Sequence, residues 1–336
     1  MTLETKYALL LAMAACVVGL GVLPASRAMA SDLSLMVDTL KCEMCVGPLG
    51  VDVAHPRLSW TLHGGERGQG STAYQVLVAN SRESLDKDSG DCWDSGEVLW
   101  NGAAGVEYAG APLRSSGVYF WKVRVWDNSG QSSAWSKPAT WTMGLLSSDD
   151  WEGKWICEPA VGPMPIFRRS FVVDRPVRRA IVCVCGLGQF ELHLNGEKVG
   201  ENVMEPGWTN YRKTCLYVTY DVTGQLQTGE NVVAAMLGNG MYNVPKHEGR
   251  YQKFIGSFGP PALIAQLRIE YTDGSAATVV TDRDWKSAPG PITFCCVYGG
   301  EDFDARRLPA GWDRAGYDDT AWQPCVEIAG PGGALA

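Results

Sequence analysis

The sequence predicts an all-β protein built as two successive sandwiches. Three observations carry that reading. Apolar residues recur at every second position in several short runs, the period of half-buried strands. Turn-forming groups such as Asn128-Ser129-Gly130, Asn195-Gly196 and Asp273-Gly274 separate those runs. No long stretch shows the period of an amphipathic helix, while glycine, tryptophan and tyrosine are plentiful, at 39, 13 and 12 of 336 residues. A chain of this length has room for two domains with sizeable cores.

The first 30 residues stand apart. Lys6 precedes an apolar run over 7–23, and Ala28-Met29-Ala30 is a small-x-small cleavage signal before Ser31. Residues 1–30 read as a secretory signal peptide, so the expected location is periplasmic or secreted. Met13-Ala14-Ala15-Cys16 loosely resembles a lipoprotein box, which makes lipidation at Cys16 the alternative. The formal net charge of −8 argues against a nucleic-acid partner. Cys42 and Cys45 form a lone C-x-x-C with no second ligand pair at zinc spacing. Cys183 and Cys185 lie two apart in one strand and face the same side, as small buried residues do.

The first sandwich is expected over 33–146. A strand at 33–40 leads into an irregular segment with Gly47-Pro48-Leu49-Gly50 and Pro56-Arg57. Residues 72–79 form a strand with Tyr74, Val76 and Val78 on one face. A short strand begins at 94–98. In 119–127, Tyr119, Trp121, Val123 and Val125 face one way, and Lys122 and Arg124 face the other as a solvated side. This strand, followed by Gly130 and Ser136, resembles the last hairpin of fibronectin type III domains, with Tyr119 as the corner tyrosine.

Residues 149–156 are the expected linker, and the second domain is placed at 150–328. Strands are expected at 167–171 and 181–186. Phe190, Leu192 and Leu194 then alternate with Glu191 and His193, and Asn195-Gly196 closes a hairpin. Further strands are expected at 216–220 and 232–237. A polar, aromatic loop follows over 243–258. Strands at 263–271 and 277–281 flank Asp273-Gly274. The acidic stretch 301–306 and the pair Trp312 and Trp322 close the domain. Residues 329–336 are expected to be an unstructured linker. His55, His193 and His247 have no second base beside them in sequence and are expected at the surface.

These segments together resemble the N-terminal part of bacterial α-L-rhamnosidases of glycoside hydrolase family 78. In the first half the resemblance rests on Cys42-Glu43, Pro48-Leu49-Gly50, residues 56–60, Ala73-Tyr74-Gln75, residues 93–96 and residues 121–127. In the second it rests on Gly186-Leu187-Gly188, Asn195-Gly196, residues 206–209, residues 237–240 and the 301–306 stretch. It implies a fibronectin-type-III-like domain followed by a jelly-roll accessory domain, both non-catalytic. In that family the catalytic carboxylates lie on an α/α barrel downstream, so the resemblance gives no catalytic residue here. The expectation is a chain inactive alone that docks a catalytic barrel, whether missing or separately encoded. The family's Gly-Asn-Gly-Trp-Tyr reads Gly-Asn-Gly-Met241-Tyr242 here, and the Tyr of its acidic motif is Phe303.

Two stretches are candidates for binding. Trp208, Tyr211 and Tyr242 are suited to stacking on a sugar face, with Asn210 and Asn239 bonding hydroxyls of a rhamnose-containing glycan. The alternative is that they pack the sandwich or an interface with the barrel. Glu301, Asp302 and Asp304 are acids of the kind that serve as a glycosidase pair or a Ca²⁺ site. The alternative there is a structural loop neutralised by Arg306 or Arg307.

Overall fold

The computed structural model describes residues 35–336, apart from 66, 101–104, 160, 161 and 163. The leader segment 1–30 and Cys16 lie outside the described residues. The first sandwich runs β1 (Met36–Cys42), β2 (Arg57–His63), β3 (Ser71–Ala79), α1 (Arg82–Asp86), β4 (Trp93–Asp94), β5 (Val98–Leu99), β6 (Val106–Glu107), β7 (Val118–Asp127) and β8 (Ala139–Thr142). One sheet has the order β1-β2-β6 and the other β4-β3-β7-β8, with β5 on the edge of β3. Their inner faces enclose Val76, Val78, Trp121, Val123 and Trp141. The Tyr119 hydroxyl accepts a hydrogen bond from the Arg114 amide at 2.9 Å. That bond, reaching five residues upstream, is the corner that the sequence assigned to Tyr119.

The outer face of β7 is not the solvated side that its charges suggest. Lys122 is buried. Its ammonium donates to the Leu85 carbonyl at 2.6 Å and to the Asp88 carboxylate, and it lies 5.1 Å from the Trp135 ring centre. The cause is α1, which packs Leu85 with Leu77 and Ala79 over that face. Ser81 caps α1 by accepting from the Ser84 amide. The lysine therefore acts as a buried donor for a carbonyl at the end of a short helix.

The family motif Cys42-Glu43 has a physical reason. Glu43 and Met44 take φ of 48° and 66°, and Cys42 and Cys45 exchange backbone hydrogen bonds, giving a tight turn. Glu43 thereby faces Arg57 and accepts from its Nη2 at 2.6 Å and its amide at 2.6 Å. Burial pushes the Cys42 thiol up to about 12, so it is a packed, inert side chain. The ten cysteines of the described residues are all free thiols.

The stretch 149–156 expected as a linker overlaps the first strand of the second sandwich. Ser147 caps a short turn at Ser148–Asp150, and β9 (Trp155–Cys157) already belongs to the second domain. Next come β10 (Pro165–Val173), β11 (Val177–Leu187), β12 (Phe190–Leu194), β13 (Glu197–Lys198), β14 (Thr214–Cys215), β15 (Val218–Asp221) and β16 (Gly229–Leu237). They are followed by β17 (Asn243–Val244), β18 (Gly256–Ser257), β19 (Ala262–Tyr271), β20 (Ala276–Val280) and β21 (Lys286–Pro289). The last are β22 (Ile292–Cys296), β23 (Gly300–Phe303), β24 (Gln323–Pro324), β25 (Val326–Ile328) and β26 (Ala334–Leu335).

One six-stranded sheet has the order β13-β12-β16-β10-β21-β24. It faces a second of order β15-β11-β19-β9-β25, with β20 also on β19. Apart from the β12-β13 and β19-β20 hairpins, the neighbours in both sheets are non-consecutive, as in the jelly-roll type of double sheet. Val182, Val184, Leu192, Leu194, Leu267 and Trp285 are among the residues filling the space between them. Each fully buried aliphatic side chain there contributes about 1.5–3 kcal/mol. Asn195 and Gly196 sit at φ 54° and 84°, as the two-residue hairpin between β12 and β13 requires.

Three other expectations are corrected. Residues 216–220 are not one strand, because Leu216 and Tyr217 fall between β14 and β15. There the Tyr217 hydroxyl accepts from the Leu145 amide of the first sandwich at 2.9 Å. The tail is not unstructured: β26 pairs in parallel with β14, and the Ala336 carbonyl accepts from the Tyr217 amide at 3.0 Å. His193 is not a free surface residue. It lies between Asp313 at 2.8 Å and Glu191 at 3.0 Å, with its ring on Trp312. No helix among the described residues is long and apolar enough to cross a membrane.

Candidate functional site

The surface that stands out lies on the jelly roll, where the 202–208 and 243–258 loops meet the β22–β23 hairpin. The 202–208 loop is pinned from below. The Glu205 carbonyl accepts from the Phe190 amide at 2.8 Å, and its carboxylate accepts from the Tyr220 hydroxyl. This anchoring leaves Trp208 standing outward, 58% exposed. Its ring lies 5.7 Å from Phe254, Phe254 lies 6.1 Å from Tyr298, and Tyr298 lies 6.5 Å from Tyr251. All of these rings are exposed, as are Met204 and Ile255. Scattered apolar residues are normal on a surface, but a contiguous aromatic cluster marks a contact site. Beside it is a shallow cavity of about 200 Å³, lined by Gln189, Met204, Pro206, Trp208, Met241 and Tyr298 among others.

The backbone under this surface explains the glycine-rich family motifs. At Gly188, φ 126°, a Cβ would stand 2.0 Å from the Gly238 carbonyl oxygen. Only glycine lets the 186–188 and 237–240 segments approach this closely.

The five sugar-binding candidates are split by the fold. Trp208 and Asn210 are exposed. Tyr211, Tyr242 and Asn239 are buried. Tyr211 and Tyr242 pack edge to face at 5.1 Å, and Phe258 stacks on Tyr242. Burial pushes the Tyr211 hydroxyl up to about 12 and raises that of Tyr242. The Asn239 amide donates to Cys295 Sγ at 2.9 Å, and its side chain donates to the Cys295 carbonyl and accepts from Asn243. Asn239 therefore braces the 238–243 loop to β22. Of the buried three, Tyr211 alone also lines the cavity. Tyr251, Phe254 and Tyr298 lacked any periodic signal in the sequence, since they lie in loops where exposure is not encoded by spacing.

The acidic stretch is laid out as separate ion pairs. Asp302 receives the Arg250 guanidinium. Asp304 accepts from Arg306 Nε at 2.8 Å and Nη2 at 2.9 Å, and also caps the turn at Ala305–Arg307. The Arg306 guanidinium holds the Asp304 carboxyl down at about 2. Glu301 is exposed on β23. Among the described residues no group of three or more His, Cys, Asp or Glu side chains is arranged to hold a metal ion.

Fold and site together define a tandem β-sandwich protein. Two family models match it. Residues 37–147 match the Rha78A-like N-terminal immunoglobulin domain, and residues 175–336 match the α-L-rhamnosidase N-terminal domain. The chain belongs to the family-78 α-L-rhamnosidases as an N-terminal region. It is 36% identical to an α-L-rhamnosidase of Formosa agariphila, over 88% of this chain and 34% of that protein. Among solved structures, it resembles the α-L-rhamnosidase of Dictyoglumus thermophilum with a TM-score of 0.82 and 37% identity. That match covers 89% of this chain and 34% of the other. It also resembles the Streptomyces avermitilis α-L-rhamnosidase complexed with L-rhamnose, with a TM-score of 0.83 and 26% identity. There the coverage is 89% of this chain and 45% of the other. The chain thus spans about a third to a half of the length of these relatives.

Proposed function

We propose that this chain is the accessory β-region of an α-L-rhamnosidase that removes terminal α-L-rhamnosyl residues. Its exposed aromatic face around Trp208 seats the catalytic barrel, and the chain is inactive alone. The cluster of Trp208, Tyr251, Phe254 and Tyr298 carries this reading, because interface cores are enriched in such aromatic residues. Asp302 and Asp304 support it, since each is already taken up by an arginine. A glycosidase instead needs two carboxylates flanking one glycosidic bond. On this reading residues 1–30 direct export, and the barrel lies either in the same polypeptide or in a separately encoded partner.

The purified chain is expected to leave an aryl α-L-rhamnoside unhydrolysed. Hydrolysis above background that disappears in Glu301→Gln or Asp304→Asn would overturn the assignment of the chemistry to another domain.

A second reading is favoured by the 200 Å³ cavity at Trp208: direct binding of a rhamnose-containing glycan, with Trp208 and Tyr211 on its wall. Calorimetry with rhamnose and rhamnose-rich oligosaccharides separates the two. Heat at millimolar sugar, a binding free energy of about −4 kcal/mol, that is lost in Trp208→Ala supports binding. No heat at that concentration rules it out.

A further inference from the structure

A second cavity, of about 430 Å³, lies between the two sandwiches and shares no lining residue with the one at the aromatic face. Asn80, Arg114, Ser116 and Tyr119 reach it from the first domain, and Arg178 and Arg179 from the second. Arg179 is the informative residue. Its side chain is 15% exposed. Its Nη1 donates to the Ser116 carbonyl at 2.9 Å, while its Nη2 is buried with no hydrogen-bond partner. A buried donor left unmatched is costly, more so when charged. Ser116, which aims the carbonyl, is held at φ 60°, a conformation that costs a non-glycine residue energy.

The charge balance points the same way. Glu270 lies at the cavity wall and is shared by Arg178 at 2.8 Å, Arg268 at 3.4 Å and Arg179 at 3.7 Å. One carboxylate thus faces three guanidinium groups. Arg114 adds a fourth from the opposite wall, exposed and paired with no carboxylate among the described residues. Asp91 also lines the cavity and accepts from the Asn80 amide at 3.0 Å. Among the charged residues of the cavity wall, Arg114, Arg178 and Arg179 face Asp91 and Glu270, a positive excess of one within a chain whose net charge is −8.

We propose that this interdomain cavity binds an acidic saccharide. Its carboxylate or sulfate sits between Arg114 and the exposed Arg178, with the buried Arg179 guanidinium adding positive charge from behind the wall. The arginine fork is suited to such planar or multi-oxygen anions. Sugar hydroxyls meet the Asn80 side-chain carboxamide and the Tyr119 hydroxyl, whose proton is not used in the corner bond to Arg114. The volume is that of a small-ligand pocket and far larger than a bare oxyanion needs. Because both domains supply an arginine, the ligand fixes their relative position. This site shares no residue with the Trp208 surface, so either proposal can fail without the other.

Calorimetry on the full chain at low salt, with galacturonic acid, glucose 6-sulfate, L-rhamnose and inorganic sulfate, is the test. Binding of the uronate or of the sulfated sugar, without binding of L-rhamnose, is expected, and the better of the two identifies the anion. Arg114→Gln, an exposed change, is expected to weaken that binding at least 10-fold with an unchanged melting curve. Arg178→Gln, also an exposed change, is expected to do the same. Equal affinity for L-rhamnose, inorganic sulfate binding as tightly as the sugars, or undiminished binding in Arg114→Gln would each overturn the proposal.

Discussion

Replacing Asp319 by alanine is expected to destabilise the jelly roll by about 3–5 kcal/mol, more than replacing its partner Arg168 by methionine. Arg168 lies on β10 in the interior, 2% exposed, with its guanidinium against the Asp319 carboxylate. It also donates from Nε to the Trp312 carbonyl at 2.9 Å and from Nη2 to the Arg314 carbonyl at 3.2 Å. The Tyr317 ring covers it at 5.3 Å. One side chain thus organises the 312–319 segment and closes one face of the sheet. Burial lowers the proton affinity of this guanidinium, so its charge depends on a counter-charge nearby.

The two partners are not equivalent. Asp319 keeps a second partner, Lys286 Nζ at 2.6 Å, and remains partly open to solvent. Arg168→Met therefore strands no charge, and its apolar side chain suits the packed site. The loss is then confined to the two carbonyl bonds, about 1–3 kcal/mol together. Asp319→Ala leaves a guanidinium in the interior without its carboxylate. Urea unfolding of both variants gives the comparison, and an Asp319→Ala cost equal to or below that of Arg168→Met would show that the pair is not buried as described.

The strands were legible because their physics is local. Alternation over 190–194 and 263–271 and the Asn195-Gly196 turn each follow from neighbouring residues. Burial on a second face is different. Lys122 is enclosed by a five-residue helix too short to show a period, and Arg168 by a carboxylate 151 positions away. The same limit governs the candidate site. Trp208 and Tyr211 are three positions apart in an irregular loop, and nothing in their spacing says that the first is exposed and the second packed. Glycines at 188 and 238 were visible only as motif residues, and their close approach supplies the reason. The tail at 334–335 shows no strand alternation, because its pairing partner is the two-residue β14.

Trp121→Ala is expected to cost about 3–5 kcal/mol, and the loss should fall on the first sandwich alone. Trp121 is fully buried at the centre of β7, packed edge-on against Trp141 at 6.5 Å with Val76 and Val78 in the same core. Tyr119, two residues before it, stacks on Trp141 at 5.4 Å and carries the corner bond, so the cavity would open beside the domain's most constrained turn. A small domain has about 5–15 kcal/mol in all, so the variant should still fold, with a transition lowered by about 15–25 °C. Scanning calorimetry resolves whether one or two transitions move. Among the described residues the domains are joined by hydrogen bonds of Leu145 with Tyr217, Ser116 with Arg179 and Ser115 with Asp150, worth about 1 kcal/mol each. That coupling is small beside either core. Trp121→Ala should therefore shift only the transition of the first sandwich, and Asp319→Ala only that of the second. A single transition displaced equally by both substitutions would show instead that the two sandwiches unfold as one unit, with the interdomain cavity inside a shared cooperative core.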